Sequence, residues 1–127
     1  MSTELSLNHT HGEARFPEKP LVSIVVPSFN QVKFIGETIE SILSQKYRPL
    51  EVIVMDGAST DETLNVLDGF RSCPEMRIRS EPDKGVVDAV NKGLKDARGW
   101  ITAIQSSDDV YLPDTVETAV EALRANP

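Results

Sequence analysis

Ser106-Ser107-Asp108-Asp109 puts two adjacent carboxylates directly after an apolar run, Trp100-Ile101-Thr102-Ala103-Ile104. Neighbouring carboxylates repel one another and lose solvation when crowded, so a strand end that carries both calls for positive charge nearby. A hard divalent cation, Mg²⁺ or Mn²⁺, suits such oxygen ligands, and a diphosphate is its natural second ligand. The plainer alternative is a solvated turn ahead of a helix capped near Asp114, and the pair alone does not decide between them.

Three more polar clusters stand out: Pro27-Ser28-Phe29-Asn30, Asp56 to Asp61, and Glu81 to Asp88. The elements that hold them follow from apolar patterning. Leu21–Val26 and Leu50–Met55 are β-branched and almost continuously apolar, the mark of strands covered on both faces. Met76–Ser80 alternates and is short, which predicts a strand nearer a sheet edge, and Trp100–Ile104 is a fourth strand. Ile35, Ile39 and Ile42 recur at helical spacing and end near Tyr47-Arg48-Pro49; Leu64, Leu67 and Phe70 predict a second helix. Gly85 opens a third, with Val86, Val90, Leu94 and Ala97 as its inward stripe and Gly99 as its stop. Val116, Ala119, Val120 and Leu123 form the stripe of a last helix, with Asp114 at its N-cap or first turn. Ser59 and Glu62 have the spacing of a capping box, and Asp61 and Glu62 read as first-turn helix charges. Lys92, Lys95 and Arg98 read as a solvated helix face.

Strands alternating with helices predict an α/β fold, a three-layer sandwich with a mainly parallel sheet and right-handed crossovers. Every polar cluster then falls at the carboxyl end of a strand, the edge at which such sheets bind ligands. Residues 1–20 are polar and lack either apolar period, so they read as a flexible arm, and residues 21–127 as the folded unit. His9 and His11 are spaced for a metal, but a short polar arm gives them no framework.

At 127 residues the chain is one domain's worth. Acidic residues outnumber basic ones by 20 to 13, a formal charge of −7, which opposes a sequence-independent grip on nucleic acid. An anionic ligand needs a metal, a helix N-terminus or a local cation to enter. Cys73 is the only cysteine, so there is no internal disulfide or multi-cysteine zinc site; a reducing cytoplasm fits, and Cys73 itself reads as structural. No window approaches the roughly 20 apolar residues of a spanning helix, and a soluble chain is expected.

With these clusters in order, the chain from about Leu21 onward resembles the nucleotide-binding half of family 2 glycosyltransferases, inverting GT-A enzymes that use nucleotide-diphosphate sugars. The residues that carry the likeness are Val25-Val26-Pro27-Ser28-Phe29-Asn30, Val52 through Asp61, Ser80-Glu81-Pro82-Asp83-Lys84-Gly85, Asn91-Lys92-Gly93 and Ser107-Asp108-Asp109, over roughly four fifths of the chain. The resemblance implies that Pro27, Ser28, Phe29 and Asn30 pack around a base. It further implies that Asp56 accepts a hydrogen bond from that base, that Asp83 and Lys84 lie near the nucleotide and its phosphates, and that Ser107 and Asp108 touch the donor. Asp108 matches the last residue of the family's Asp-x-Asp motif and Asp109 the carboxylate after it, which makes both metal candidates. It also implies a UDP-sugar as first choice of donor, a glycan or lipid acceptor, a role in surface polysaccharide assembly, a homodimer, and peripheral membrane association of a longer parent.

Three departures matter. Ser106 stands where the motif's first carboxylate belongs, Gly57 replaces the usual second acid after the second strand, and Ala58 replaces a common glycine, tolerable where the backbone is not left-handed. The chain ends at Pro127, so the acceptor half and its general base are expected beyond it and little transfer is expected from this chain alone. The rival from another class is a non-catalytic nucleotide-binding or regulatory module that dimerises. A receiver-like domain fails, because its acidic pair follows the first strand.

Overall fold

The computed structural model describes residues 3–7 and 17–125; His9 and His11 lie outside them. The described residues form nine elements, with strands and helices alternating from β2 onward: β1 (Thr3–Leu7), β2 (Val22–Ser28), α1 (Ile35–Leu43), β3 (Leu50–Asp56), α2 (Thr63–Asp68), β4 (Met76–Ser80), α3 (Val86–Asp96), β5 (Ile101–Gln105) and α4 (Thr115–Ala125). The sheet order is β1-β5-β2-β3-β4. β5, β2, β3 and β4 are parallel, as the alternating pattern requires, and β4 takes an edge.

Side-chain parity divides the core into two layers. Val22, Ile24, Val26, Leu50, Val52 and Val54 face α1, α2 and α4, packing with Ile35, Ile39, Ile42, Leu67, Val116 and Val120. Val25, Ile53 and Met55 face the other way, onto Ala89 of α3. A strand covered on both sides has no polar face, which is why β2 and β3 read as continuous apolar runs. Each fully buried Ile or Val contributes about 1.5–3 kcal/mol of transfer free energy. The half-buried Cys73 packs against the first layer, in keeping with a structural thiol.

Four expectations change. Part of the N-terminal arm is a strand: Thr3–Leu7 pairs antiparallel with β5, Thr3 opposite Gln105 and Leu7 opposite Ile101. Its five residues hold only two alternating leucines, too short a signal to rise above a polar background, and the open edge of β5 supplies the pairing. Of the predicted inward stripe of α3, Leu94 and Ala97 pack against the second layer, but the buried positions are Ala89 and Gly93, and Val86 stays 68% exposed. A Cβ on Gly93 would run into Val25 Cγ1, so small residues, not the valines, let this helix close on the sheet.

Gly99 does not terminate a left-handed cap, because α3 ends at Asp96 followed by an extended Ala97. It is needed for space, since a Cβ there would stand 2.6 Å from the Leu21 carbonyl oxygen. The capping box does not form either. The N-cap of α2 is Glu62, without a side-chain bond, and Asp61 Oδ1 instead accepts from the Thr63 N–H at 2.9 Å. Among the described residues, no helix is long and apolar enough to cross a membrane.

Candidate functional site

Chain order runs β2, β3, β4 in one direction and then returns to β5 on the far side of β2. The crevice of such a sheet opens where the order reverses, at the carboxyl ends of β2 and β5. A cleft of about 1130 Å³ lies there, lined from β2 by Pro27, Ser28, Phe29 and Gln31, from β5 by Ser106, Ser107 and Asp108, and closed by Gly57, Asp83 and the first turns of α3.

The loops after β2 and β3 are sewn together by side chains. Asn30 Oδ1 accepts the Thr60 N–H at 2.8 Å, Ser59 Oγ accepts the Asn30 N–H at 2.9 Å, and Thr63 Oγ1 accepts the Gln31 N–H at 2.9 Å. Asn30 has φ 51°, a left-handed conformation that asparagine tolerates. Its side chain is spent on the neighbouring loop and does not line the cleft. Ser28 is 5% exposed and lines the cleft, yet its hydroxyl has no partner among the described residues. A buried, unpaired hydroxyl costs about 1–3 kcal/mol, a debt that a ligand atom can cancel.

Asp56 behaves differently from expectation. It is 1% exposed and outside the cleft lining, and its carboxylate accepts from Ser59 Oγ at 2.5 Å, Ser59 N–H at 2.8 Å and Ser80 Oγ at 2.8 Å. It staples β3's loop to β4. The next residue, Gly57, faces the cleft, and Asp83 fills the space its missing side chain leaves; a Cβ on Gly57 would stand 2.7 Å from Asp83 Oδ2. Asp83 Oδ1 accepts the Gly85 N–H at 3.0 Å, and Gly85 turns into α3 at φ 116°, a conformation that favours glycine.

Lys84 does not line the cleft; its backbone N–H is held by Asp88 Oδ2 at 3.0 Å. Lys92 is not a free solvated charge: its Nζ lies 3.4 Å from Glu81, 3.5 Å from Asp88 and 3.3 Å from the Pro82 carbonyl, tethering this loop to α3. Burial lowers the Lys92 pKa, but Glu81 and Asp88 outweigh it and the net shift is upward.

The acidic pair divides. Asp108 is exposed at the cleft, where Ser106 Oγ donates to its Oδ1 at 2.5 Å. Asp109 does not line the cleft; its N–H bonds Ser106 O at 3.2 Å and its carbonyl accepts from Thr38 Oγ1 at 2.7 Å. Among the described residues no three His, Cys, Asp or Glu side chains converge as a ready cage. One carboxylate and a hydroxyl fit a hard cation that completes its shell with waters and phosphate oxygens, the habit of Mg²⁺.

Of the nine donor-binding candidates, Pro27, Ser28, Phe29, Asp83, Ser107 and Asp108 share the cleft, and Asn30, Asp56 and Lys84 do not. Gln31, Val86, Val87, Val90 and Asn91 join them without having been singled out as site residues. Phe29, Val86 and Val87 are 55%, 68% and 76% exposed and give the cleft an apolar rim.

A crevice at the switch point of a parallel sheet, lined mainly by apolar groups with Asp83 and Asp108 as its two carboxylates, is the layout of an α/β domain of the GT-A type. The chain belongs to glycosyl transferase family 2, whose family model matches residues 23–127. Chondroitin synthase of Escherichia coli is 38% identical over 106 residues, covering 83% of this chain and 16% of that protein. Staphylococcus aureus TarS 1–349 in complex with UDP-GlcNAc superposes with a TM-score of 0.76 at 28% identity, over 82% of this chain and 31% of that one. The mannosyltransferase PcManGT of Pyrobaculum calidifontis, in complex with GDP-Man and Mn²⁺, gives a TM-score of 0.79 at 33% identity, over 86% and 33%. The chain thus spans well under half the length of each.

Proposed function

We propose that the cleft takes the nucleoside diphosphate of a sugar nucleotide, with Mg²⁺ or Mn²⁺ on Asp108, and that this chain is the donor-binding part of an enzyme transferring that sugar to a glycan or lipid hydroxyl. The observation that carries the reading is the charge of the lining, which holds two carboxylates, Asp83 and Asp108, and no Lys or Arg among the described residues. A diphosphate entering alone meets like charge at close range, and a cation shared with Asp108 reverses the sign of that interaction. Bound there, the metal supplies Lewis-acid stabilisation to the departing phosphate.

The chain's own residues do the rest. Ser106 holds the Asp108 carboxylate, and the buried Ser28 hydroxyl gains the partner it lacks. Asp83, in place of Asp56, meets the base; a carboxylate accepts from the imide N–H of uracil or thymine, as it would from the N1–H of guanine, and offers no donor to adenine's acceptor edge, so UDP is the first choice with a deoxythymidine or guanosine donor as the alternative. The exposed rim of Phe29, Val86 and Val87 covers the apolar faces of base and ribose. Polysaccharide assembly at the cytoplasmic side is the setting in which we place this chemistry. Peripheral membrane association and a homodimer belong to the same proposal for a longer parent.

Calorimetry tests this. UDP should give heat only with Mn²⁺ present, and Asp108→Asn should abolish it. Equal UDP binding without metal, or in the variant, contradicts the proposal.

A further inference from the structure

The turn that carries Asp108 has no regular structure of its own; it runs from the end of β5 at Gln105 to the start of α4 at Thr115. Something outside must hold it, and that is the polar side of α1. Thr38 is fully buried in the middle of this helix, where a hydrophobic residue would be ordinary. Its Oγ1 lies 2.9 Å from the Ser107 carbonyl and 2.7 Å from the Asp109 carbonyl. Those two carbonyls bracket Asp108. A hydroxyl has one proton, so it donates to either carbonyl in turn and keeps both aimed at the helix.

Two further side chains, one and two turns on, continue the support. Ser41 Oγ donates to the Thr38 carbonyl at 2.7 Å and accepts the Tyr111 N–H at 2.9 Å. Gln45 is 4% exposed; its Nε2 donates to the Leu112 carbonyl at 2.9 Å and its Oε1 accepts the Val116 N–H at 3.0 Å. Thr38, Ser41 and Gln45 therefore hold the chain from Ser107 to Val116 by its backbone, leaving the Asp108 side chain free to face the cleft.

We propose that Thr38 is the positioning residue for the Asp108 carboxylate, setting the affinity of the cleft for a divalent cation without touching cation or nucleotide. The inference rests on the metal-bridged diphosphate reading above. Without the hydroxyl, the Ser107 and Asp109 carbonyls lose their buried donor and turn toward water, and Asp108 moves with the peptide planes on either side of it. A residue that only packs would lower stability and leave the metal requirement where it was.

The experiment compares wild type, Thr38→Val and Thr38→Ser. The free Mn²⁺ paramagnetic resonance signal, titrated in the presence of UDP, reads the Mn²⁺ concentration for half-saturation. Binding of uridine, which has no phosphate to share with a metal, serves as the control. Thr38→Val should raise the Mn²⁺ requirement about 10- to 100-fold, the range seen when groups orienting a metal ligand are removed. Thr38→Ser should restore it, and uridine binding should stay unchanged in both.

A folded Thr38→Val protein that needs no more Mn²⁺ than a Mn²⁺-dependent wild type overturns this inference alone. Wild-type UDP binding that needs no metal removes the proposed function and this inference together. Should Thr38→Val fail to fold, Thr38→Ala carries the test: it removes the same hydroxyl from the Ser107 and Asp109 carbonyls, and an unchanged Mn²⁺ requirement there overturns the proposal.

Discussion

The Asp83 carboxylate rests against the backbone of Gly57, its Oδ2 2.7 Å from the point that a Cβ on residue 57 would occupy. The two residues lie on loops after different strands, and the absence of a side chain on one sets where the other's charge sits in the cleft. Gly57→Ala should therefore displace Asp83, the flexible partner, at little cost to folding, below about 0.5 kcal/mol. Losing a charge-assisted bond to the base should weaken UDP binding by about 1.5–3 kcal/mol. Calorimetry beside a thermal melt reads both; unchanged affinity removes Asp83 from base recognition.

Ala58 was expected to be harmless if its backbone were not left-handed, but it has φ 62°. An L-residue there pays about 1–2 kcal/mol, of which glycine returns part as unfolded-chain entropy. Ala58→Gly should stabilise the fold by about 0.5–1 kcal/mol in urea unfolding. A destabilised variant would contradict the strain.

Glu51 is 8% exposed at the amino end of β3, where Ser23 Oγ, the Arg98 N–H and Arg77 donate to it at 2.6, 2.8 and 3.0 Å. Burial pushes its pKa up, but these donors outweigh burial and the carboxyl titrates below its ordinary value. The sign follows: its stabilisation is complete above the unfolded pKa, near 4.5, and is lost as pH falls through the lower folded value. Glu51→Gln should cost about 1–3 kcal/mol at neutral pH. Urea midpoints taken from pH 7 down to 3 should show a smaller acid-side loss for the variant than for wild type; parallel curves would contradict the role.

Gly99→Ala meets backbone on more than one side, the Leu21 carbonyl oxygen at 2.6 Å and the Ser23 nitrogen at 2.8 Å. Neither can rotate away as a side chain tip can, so a loss of about 1–3 kcal/mol is expected. Denaturant unfolding checks it, and a loss below that range would show that the backbone yields.

The four parallel strands, the helices of the first layer and the edge on which the polar clusters gather were readable from apolar period, because β2 and β3 are buried on both faces and show it, whereas β1 was not. The reading failed where tertiary contact overrides local pattern. The Ser59–Glu62 spacing matched a capping box, but Ser59 was claimed by Asp56. Leu94 and Ala97 pack beneath α3 as the period predicts, but Val86 is exposed, and the closest approach to the sheet is made by Ala89 and Gly93. Asp56 and Asp109 carried the right charge in the right segment, yet which of two neighbouring residues faces a cleft depends on strand parity and on partners far away in sequence, such as Ser80 and Thr38.

The central claim is that a cation on Asp108 joins this cleft to a diphosphate, and a crystal of the protein grown with UDP and Mn²⁺ tests it most directly. The account predicts anomalous Mn²⁺ density between an Asp108 carboxylate oxygen and the diphosphate, with the uracil beside Asp83. Ordered UDP in the cleft with no metal at Asp108, or Mn²⁺ bound only elsewhere, would contradict it.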